Sequence, residues 1–168
     1  PTAEGRRVVR HESIDRIFHW LMAASIFVLI FTGTAPILGL RIAWLNIHWI
    51  SGLLLTFLIA AHIIRSMFWQ DFKSMLLTPK DFSEPFDSTS KPGKYYFEQK
   101  GLHWAATVVV LAVIVTGVLM FMQIDTPFWE RTNSMPEDQL GLVFLLHGLS
   151  TLALVALAST HILSLIHI

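Results

Sequence analysis

Two observations predict an all-α integral membrane protein, a four-helix bundle. First, 54% of the 168 residues are hydrophobic and only 14% are charged, well below the charged fraction of soluble domains. Second, four apolar stretches are each long enough to cross a bilayer. The chain also has no cysteine, which excludes disulfides and thiolate-held iron–sulfur clusters. Any metal chemistry in this chain must therefore use histidine.

The four predicted helices lie near residues 17–38, 44–69, 102–122 and 141–166, and together they form one domain over residues 1–168. The first stretch follows a charged lead and has no small-residue cleavage site, so we expect a retained helix rather than a signal peptide. Residues 78–94 are rich in Pro, Ser and Asp and predict a surface loop. Because the chain is still apolar at Ile168, we expect the natural polypeptide to continue.

The distribution of Lys and Arg predicts the orientation of the helices. Basic residues cluster in the lead and in the 65–100 connection: Arg6, Arg7, Arg10, Arg16, Arg65, Lys73, Lys80, Lys91, Lys94 and Lys100. The two opposite loops contain only Arg41 and Arg131. Both termini are therefore predicted to be cytoplasmic. The net charge is zero and there is no basic tract, which argues against a nucleic-acid partner.

Histidines recur at one spacing in the second and fourth helices. His48 and His62 are 14 residues apart, and His147 and His161 repeat that spacing, the one internal repeat that we identify. Fourteen residues advance a helix by roughly 21 Å and return the side chain to within about 40° of its first direction. The two helices run in the same direction, so each has one ring near its outer end and one near its inner end. His19 lies at the inner level.

Four rings at matched depths are poorly explained by packing, although packing is the usual role of a single histidine in a membrane. Polar side chains in hydrocarbon are costly and mostly face a bundle interior or a cofactor. Two stacked haems, each with two axial imidazoles from facing helices, account for the pattern. Zinc is the alternative metal, but it needs three or four ligands at one level. A histidine-rich, non-redox metal-handling bundle remains the alternative function.

Several segments resemble a known family of membrane cytochromes. These are "RHESIDRIFHWLMAASIFVLIFTG", "HWISG", "GKYYFEQKGLHW" with "VTGVLMF", and "LLHGLSTLALVALASTHILSLIH". Together they resemble the cytochrome b (gamma) subunit of formate dehydrogenases, within the wider bacterial group that includes the Ni-hydrogenase cytochrome b subunits. The resemblance covers nearly the whole chain and all four helices in order.

The resemblance implies a subunit with two haems b in the bacterial inner membrane. Such a subunit passes electrons between the membrane quinone, menaquinone or ubiquinone, and a periplasmic or membrane-anchored redox subunit. That partner is an iron–sulfur or multihaem protein associated with a catalytic subunit, so the substrate's catalytic centre lies in another chain of the oxidoreductase complex. A stand-alone quinol-oxidising cytochrome b of similar fold is the alternative.

The resemblance also implies the axial ligands. The family pattern pairs His48 with His147 on the outer haem and His19, in "RIFHW", with His161 on the inner haem. His62 departs from the family pattern, and it is an alternative inner ligand in place of His19. We favour His19, whose surrounding motif matches the family.

Two further groups of residues are candidates. Arg16 and Arg65, at the inner boundary, are candidate partners of the haem propionates, although their charge also serves as an orientation signal. The start of the third helix is the candidate quinone site, because it enters the membrane from the cytoplasmic side at the level of the inner haem, and the alternative is a simple interface-crossing helix start. The residues of this site are Tyr96, Gln99, Lys100 and His103. The acidic 123–140 loop on the outer side is the candidate docking surface for the redox partner.

Overall fold

The regular structure is helical throughout the part of the chain that the structure, a computed structural model, describes, namely residues 13–69, 72–83 and 95–166. The helices are α1 (Ser13–Thr34), α2 (Trp44–Trp69), α3 (Pro79–Ser83), α4 (Phe97–Phe121) and α5 (Glu137–Ile166), with a 3₁₀ turn at Phe72–Met75. Over these ranges there is no strand, only a single bridge between Thr126 and Trp129. The predicted all-α class is confirmed.

Four of the five helices, α1, α2, α4 and α5, are long and apolar enough to cross a membrane. Their apolar side chains are mostly exposed: Phe57 is 69% exposed, Val108 64% and Leu152 68%. Exposure of such surfaces to water would be costly. In a bilayer their exposure costs little, because lipid tails are as apolar as these side chains. The composition and length of the helices therefore fit a multi-pass membrane protein.

The helix starts differ from the prediction for a common reason. Helix α2 has the predicted bounds, but α1, α4 and α5 each begin four or five residues earlier than predicted. Each early start consists of a polar first turn, which is stabilised by charge or capping rather than by the apolar stretch that follows. Acidic residues occupy the first turns of α1 and α5, where the helix dipole favours negative charge. In α4 the Tyr96 N–H donates to Gln99 Oε1 at 3.2 Å, as in a capping box.

Helix α1 ends at Thr34 rather than at the predicted residue 38. Pro36 has no N–H and sterically restricts the residue before it, so the apolar run continues while the helix does not. The chain then turns, with Leu40 N–H donating to Ala35 O at 3.0 Å and Gly39 at φ 69°. Glycine tolerates this left-handed conformation.

The chain divides into two compact units, Pro1–Ile64 and Arg65–Ile168. The first contains α1 and most of α2, with Thr32, Ala35 and Leu55 among its buried residues. The second contains α4 and α5, which pack against each other, with Val110 and Leu154 buried. Each unit therefore presents one pair of long helices.

Candidate haem-ligand and quinone sites

In the first unit, Thr32 on α1 holds the ring of His48 on α2. Thr32 is 1% exposed, and its Oγ1 lies 2.7 Å from Val28 O and 2.9 Å from His48 Nδ1. The next residue, Gly33, leaves room for the ring, since a Cβ built there would lie 3.3 Å from His48 Cε1. The imidazole is thus held by a hydroxyl and fitted against a glycine of the preceding helix.

The second unit repeats this arrangement between α4 and α5. Thr116 is 7% exposed, and its Oγ1 lies 2.7 Å from Ala112 O and 2.8 Å from His147 Nδ1. A Cβ at Gly117 would lie 3.4 Å from His147 Cε1. The same threonine and glycine contacts therefore hold two predicted ligands on different helices. Two histidines that served only for packing would not need to share these contacts.

The carbonyl contacts of the two hydroxyls favour one tautomer for both rings. A threonine hydroxyl has one hydrogen, and in both cases a backbone carbonyl four residues earlier accepts it. With the hydroxyl hydrogen directed to the carbonyl, the hydroxyl oxygen is the acceptor for the imidazole, and Nδ1–H is the matching donor. In a neutral imidazole of this tautomer, Nε2 is the nitrogen whose lone pair a metal would bind. The donor chemistry of His48 and His147 therefore fits axial ligation of haem iron, with the hydroxyl as the outer partner.

The other predicted ligands lie on the same long helices. His62 and His161 follow His48 and His147 on the unbroken helices α2 and α5; His62 is half-buried and His161 is exposed. His19 is exposed on α1, with its ring centroid 5.8 Å from that of Trp20. Each predicted axial pair takes one ring from each unit, so the pairing stays a prediction. Among the described residues, no three His, Asp or Glu side chains are grouped to hold a metal ion.

The threonines are functional candidates that the sequence prediction missed. The signal for them was present: "HW", eleven residues and "TG" occur at residues 19–33 and again at 103–117. The expectation that the paired histidine spacing was the only internal repeat is therefore wrong. The repeat also makes His103 on α4 the counterpart of His19; its ring centroid lies 6.0 Å from that of Trp104.

The two candidate propionate partners each lie one helical turn from a histidine. Arg16 precedes His19 by three residues on α1 and is exposed, whereas Arg65 follows His62 by three residues on α2 and is half-buried. A surface groove of about 480 Å³ beside α1 is lined by Arg16, Ile17, Trp20 and Leu21. The guanidinium of Arg16 is therefore accessible to an anionic group on that side of the helix. The basic residues at positions 6, 7, 10, 91 and 94 lie outside the described residues.

The candidate quinone residues have different environments at the start of α4. Tyr96 and Gln99 are exposed, and Gln99 Oε1 caps the helix. Lys100 is 7% exposed. Its buried ammonium is satisfied by donating from Nζ to Asp81 Oδ1 at 2.8 Å and to Leu76 O at 3.2 Å. His103 is half-buried one turn further along α4. Lys100 therefore attaches the preceding segment to α4.

Asp81 is the centre of that attachment. The predicted 78–94 loop contains the short helix α3, and its Asp81 is 8% exposed; residues 84–94 lie outside the described part. Asp81 Oδ2 accepts from Thr78 N at 2.6 Å and Thr78 Oγ1 at 2.8 Å. The hydrogen bond from Lys100, followed by those from Thr78, lowers the pKa of Asp81 from 3.8 to about 2. Trp104 adds a bond from Nε1 to Met75 O at 2.9 Å.

Comparison with known proteins gives one family and a consistent set of relatives. The family model of prokaryotic cytochrome b561 matches residues 10–167. The chain is 28% identical over 175 residues to the formate dehydrogenase cytochrome b556 subunit of Haemophilus influenzae, covering 93% of this chain and 69% of that protein. It is 25% identical over 179 residues to the formate dehydrogenase cytochrome b556(fdo) subunit of Escherichia coli, covering 92% and 77%. No solved structure matches the chain.

Proposed function

Because the chain belongs to the prokaryotic cytochrome b561 family, we propose that it is the di-haem membrane subunit of a respiratory oxidoreductase complex, which exchanges electrons with the quinone pool. The family implies haem b and electron transfer, and the four apolar helices fit a multi-pass bacterial membrane protein. The observation that carries the proposal is the matched pair of contacts, Thr32 with His48 and Thr116 with His147. Both contacts involve Nδ1, so Nε2 is the nitrogen that would bind iron.

His48 and His147 are the proposed ligands of the outer haem. Both rings are held through Nδ1 by a threonine of the preceding helix, and such outer partners orient a ligand and raise its basicity. Haem b held by these two rings would supply a one-electron carrier. The protein's part is to fix the two rings before the haem enters, which limits the entropy lost on binding.

His19 and His161 are the proposed ligands of the inner haem. His19 lies in the "RIFHW" motif that carries the family resemblance, and His161 is one ring spacing beyond His147 on α5. Arg16, exposed one turn before His19, and Arg65, half-buried one turn after His62, are the proposed partners of haem propionates. His62 remains the alternative ligand in place of His19.

The quinone site is proposed at the start of α4. Tyr96 and Gln99 offer exposed polar groups there, and His103 offers a half-buried ring. Lys100 is assigned a positioning role, because its ammonium is bound to Asp81 and to Leu76 O. In this proposal the start of α4 is cytoplasmic, and the acidic 123–140 loop on the opposite side receives an iron–sulfur or multihaem partner that is associated with the catalytic subunit.

The named relatives are subunits of formate dehydrogenase. We propose that this chain belongs to a complex of the same class. The separate possibility of a stand-alone quinol-oxidising cytochrome b is distinguished by co-purification. A tagged chain isolated from native membranes in mild detergent should retain an iron–sulfur or multihaem subunit. Isolation of the haem-loaded chain alone, with quinol oxidation intact, would favour the stand-alone protein.

A reduced-minus-oxidised visible spectrum of the purified protein tests the haem assignment. We expect a low-spin b-type spectrum, with His48→Ala and His147→Ala each removing the same haem and sparing the other. Haem content per chain and redox titration measure the loss. A protein that folds without any b-type signal but holds zinc would instead support the metal-handling bundle. Loss of every haem from a folded His147→Ala protein would contradict the outer pairing.

A further inference from the structure

Residues 72–83, in the connection between α2 and α4, pack along the start of α4. Lys100 Nζ donates to Leu76 O at 3.2 Å, and Trp104 Nε1 donates to Met75 O at 2.9 Å. Lys100 and Trp104 belong to the first two turns of α4, which together extend roughly 11 Å along the helix axis. The segment 72–83 therefore lies beside the end of a membrane helix and not beyond it.

Both ends of the segment are held by aromatic pairs. The ring centroids of Phe72 and Trp104 lie 6.3 Å apart at an interplanar angle of 74°, and those of Phe82 and Phe97 lie 5.4 Å apart at 58°. Aromatic pairs at such separations are favourable beyond the area that they bury. Together with the buried ion pair between α3 and α4, these contacts hold the segment against α4 along its whole length.

The depth of the segment in a bilayer follows from the length of α4. The helix has 25 residues and is roughly 38 Å long, whereas the hydrocarbon core of a bilayer is roughly 30 Å thick. When α4 is centred in the bilayer, its first turn lies among the lipid headgroups and its second turn lies at the edge of the hydrocarbon. Trp104, in the second turn, is a residue type that is enriched at this boundary. The segment packed on these two turns therefore lies at the boundary of headgroups and acyl chains.

The exposed side chains of the segment include two chemical kinds. Four large apolar side chains are exposed, namely Phe72, Leu76, Leu77 and Phe82. Two cations, Lys73 and Lys80, are also exposed, whereas the charge of Asp81 is neutralised by Lys100 at 2.8 Å. Segments that combine apolar and cationic side chains lie in the membrane interface and are attracted to anionic lipids.

We propose that the segment 72–83 is an interfacial anchor that binds anionic phospholipid in the leaflet where α4 begins. The ammonium groups of Lys73 and Lys80 bind the headgroup phosphates, and the four apolar side chains lie among the upper parts of the acyl chains. A water-soluble partner does not reach this depth, and a zwitterionic lipid offers no net negative charge to the two lysines. The lipid site does not depend on haem or quinone binding.

Native mass spectrometry of the full-length protein, titrated with phosphatidylglycerol in mild detergent, measures the binding of lipid. We expect phosphatidylglycerol to bind more tightly than phosphatidylcholine. Lys73→Gln and Lys80→Gln should each weaken its binding about fivefold, because one cation near an anionic surface contributes about 1 kcal/mol. Lys73→Arg and Lys80→Arg, which keep the charge, should bind as the wild type does. Arg131→Gln, which removes an exposed cation from the 123–140 loop, is the matched control and should also leave binding unchanged.

A nitroxide label tests the depth of the segment. Because the chain has no cysteine, Leu77→Cys provides a single labelling site in protein reconstituted into vesicles of phosphatidylglycerol and phosphatidylcholine. We expect the label to be more accessible to oxygen, which dissolves in hydrocarbon, than to a water-soluble nickel chelate. A label at Glu130→Cys, an exposed position of the 123–140 loop, should show the opposite preference.

Several outcomes would overturn the lipid site. Unchanged phosphatidylglycerol binding in both lysine-to-glutamine variants, or equal weakening in Arg131→Gln, would remove the role of these lysines. Full competition by glycerol phosphate would indicate a site for free anions. A label at position 77 that the nickel chelate reaches would place the segment in water, and one that neither reagent reaches would indicate a protein contact. A protein without haem that still shows the expected lipid binding would contradict the proposed function and leave the anchor intact.

Discussion

Thr116 Oγ1 lies 2.8 Å from His147 Nδ1, so the orientation of a predicted iron ligand on α5 is set by a residue of α4. Thr32 and His48 have the same relationship at 2.9 Å between α1 and α2. In each helix pair the first helix supplies the hydroxyl and the second supplies the ring. The orientation of each ring therefore depends on a residue of the neighbouring helix.

Replacing Thr116 by Val should weaken haem binding at the outer site. The substitution keeps the shape but removes the acceptor of the Nδ1 proton, and losing such a partner typically costs 10–100-fold in metal affinity. We expect about tenfold weaker retention of one haem and a higher midpoint potential, because the ring becomes less basic. Haem titration of the apoprotein and redox titration measure the two effects.

Two variants control for that result. Thr116→Ser should restore most of the affinity, because it keeps the hydroxyl. Thr56→Val removes a threonine whose hydroxyl also donates to a carbonyl four residues earlier, Gly52 O at 2.8 Å, and it should leave haem binding unchanged. A Thr116→Val protein with wild-type affinity and potential would show that the hydroxyl does not support the ligand.

Substitution of Gly117 should displace the same ring by steric contact. A Cβ there would lie 3.4 Å from His147 Cε1, at the lower limit of an ordinary van der Waals contact. Ala can therefore be accommodated, whereas a larger side chain must displace the ring against its bond to Thr116. We expect Gly117→Val to lose the outer haem and Gly117→Ala to keep it. Gly141→Ala on α5, where a Cβ has no neighbour within 4 Å, is the control. Equal spectra in all three variants would refute the steric argument.

The sequence was most informative where one physical property determines the outcome. The length of apolar runs gave four membrane helices, and the bounds of α2 matched. The end of α1 was missed, because hydropathy continues through Pro36 whereas helical geometry does not. Polar helix starts such as that at Glu137 were missed because they lie outside the apolar run.

Part of the candidate site could be predicted from the sequence, and part of it could not. The histidines stand out because they are polar within apolar helices, and their threonine partners were recoverable from the repeated "HW" and "TG" spacing. The pair Asp81 and Lys100 was not recoverable. It joins residues 19 positions apart across a segment without periodicity, and a basic residue at a membrane boundary is otherwise explained by orientation.

Reporter fusions should place residues 123–140 outside the cytoplasm. The lead and the 65–100 connection carry most of the Lys and Arg, and such loops stay cytoplasmic. We expect a periplasm-active reporter to function when fused at 123–140 and a cytoplasm-active one to function when fused within 65–100. A matched pair of fusions at 35–43 should behave as those at 123–140 do. Cytoplasmic reporter activity at 123–140 would reverse the topology and the proposed docking side.

Acidification should release the segment at 72–83 from α4 only at very low pH. The pKa of Asp81 is lowered from 3.8 to about 2 by its bonds to Lys100 and Thr78. A lowered pKa means that the docked state binds the proton more weakly, so its stabilisation is complete above pH 3.8 and is lost as the pH falls towards 2. Hydrogen exchange, corrected for intrinsic rates, should show unchanged protection of 72–83 from pH 7 to 4 and a loss below. In Asp81→Asn the segment should be unprotected already at pH 7, because the neutral amide cannot replace the carboxylate opposite a buried ammonium. Asp125→Asn, a change at an exposed residue of the 123–140 loop, should match the wild type. Full protection of 72–83 at pH 2, or in Asp81→Asn, would show that the ion pair does not hold this segment.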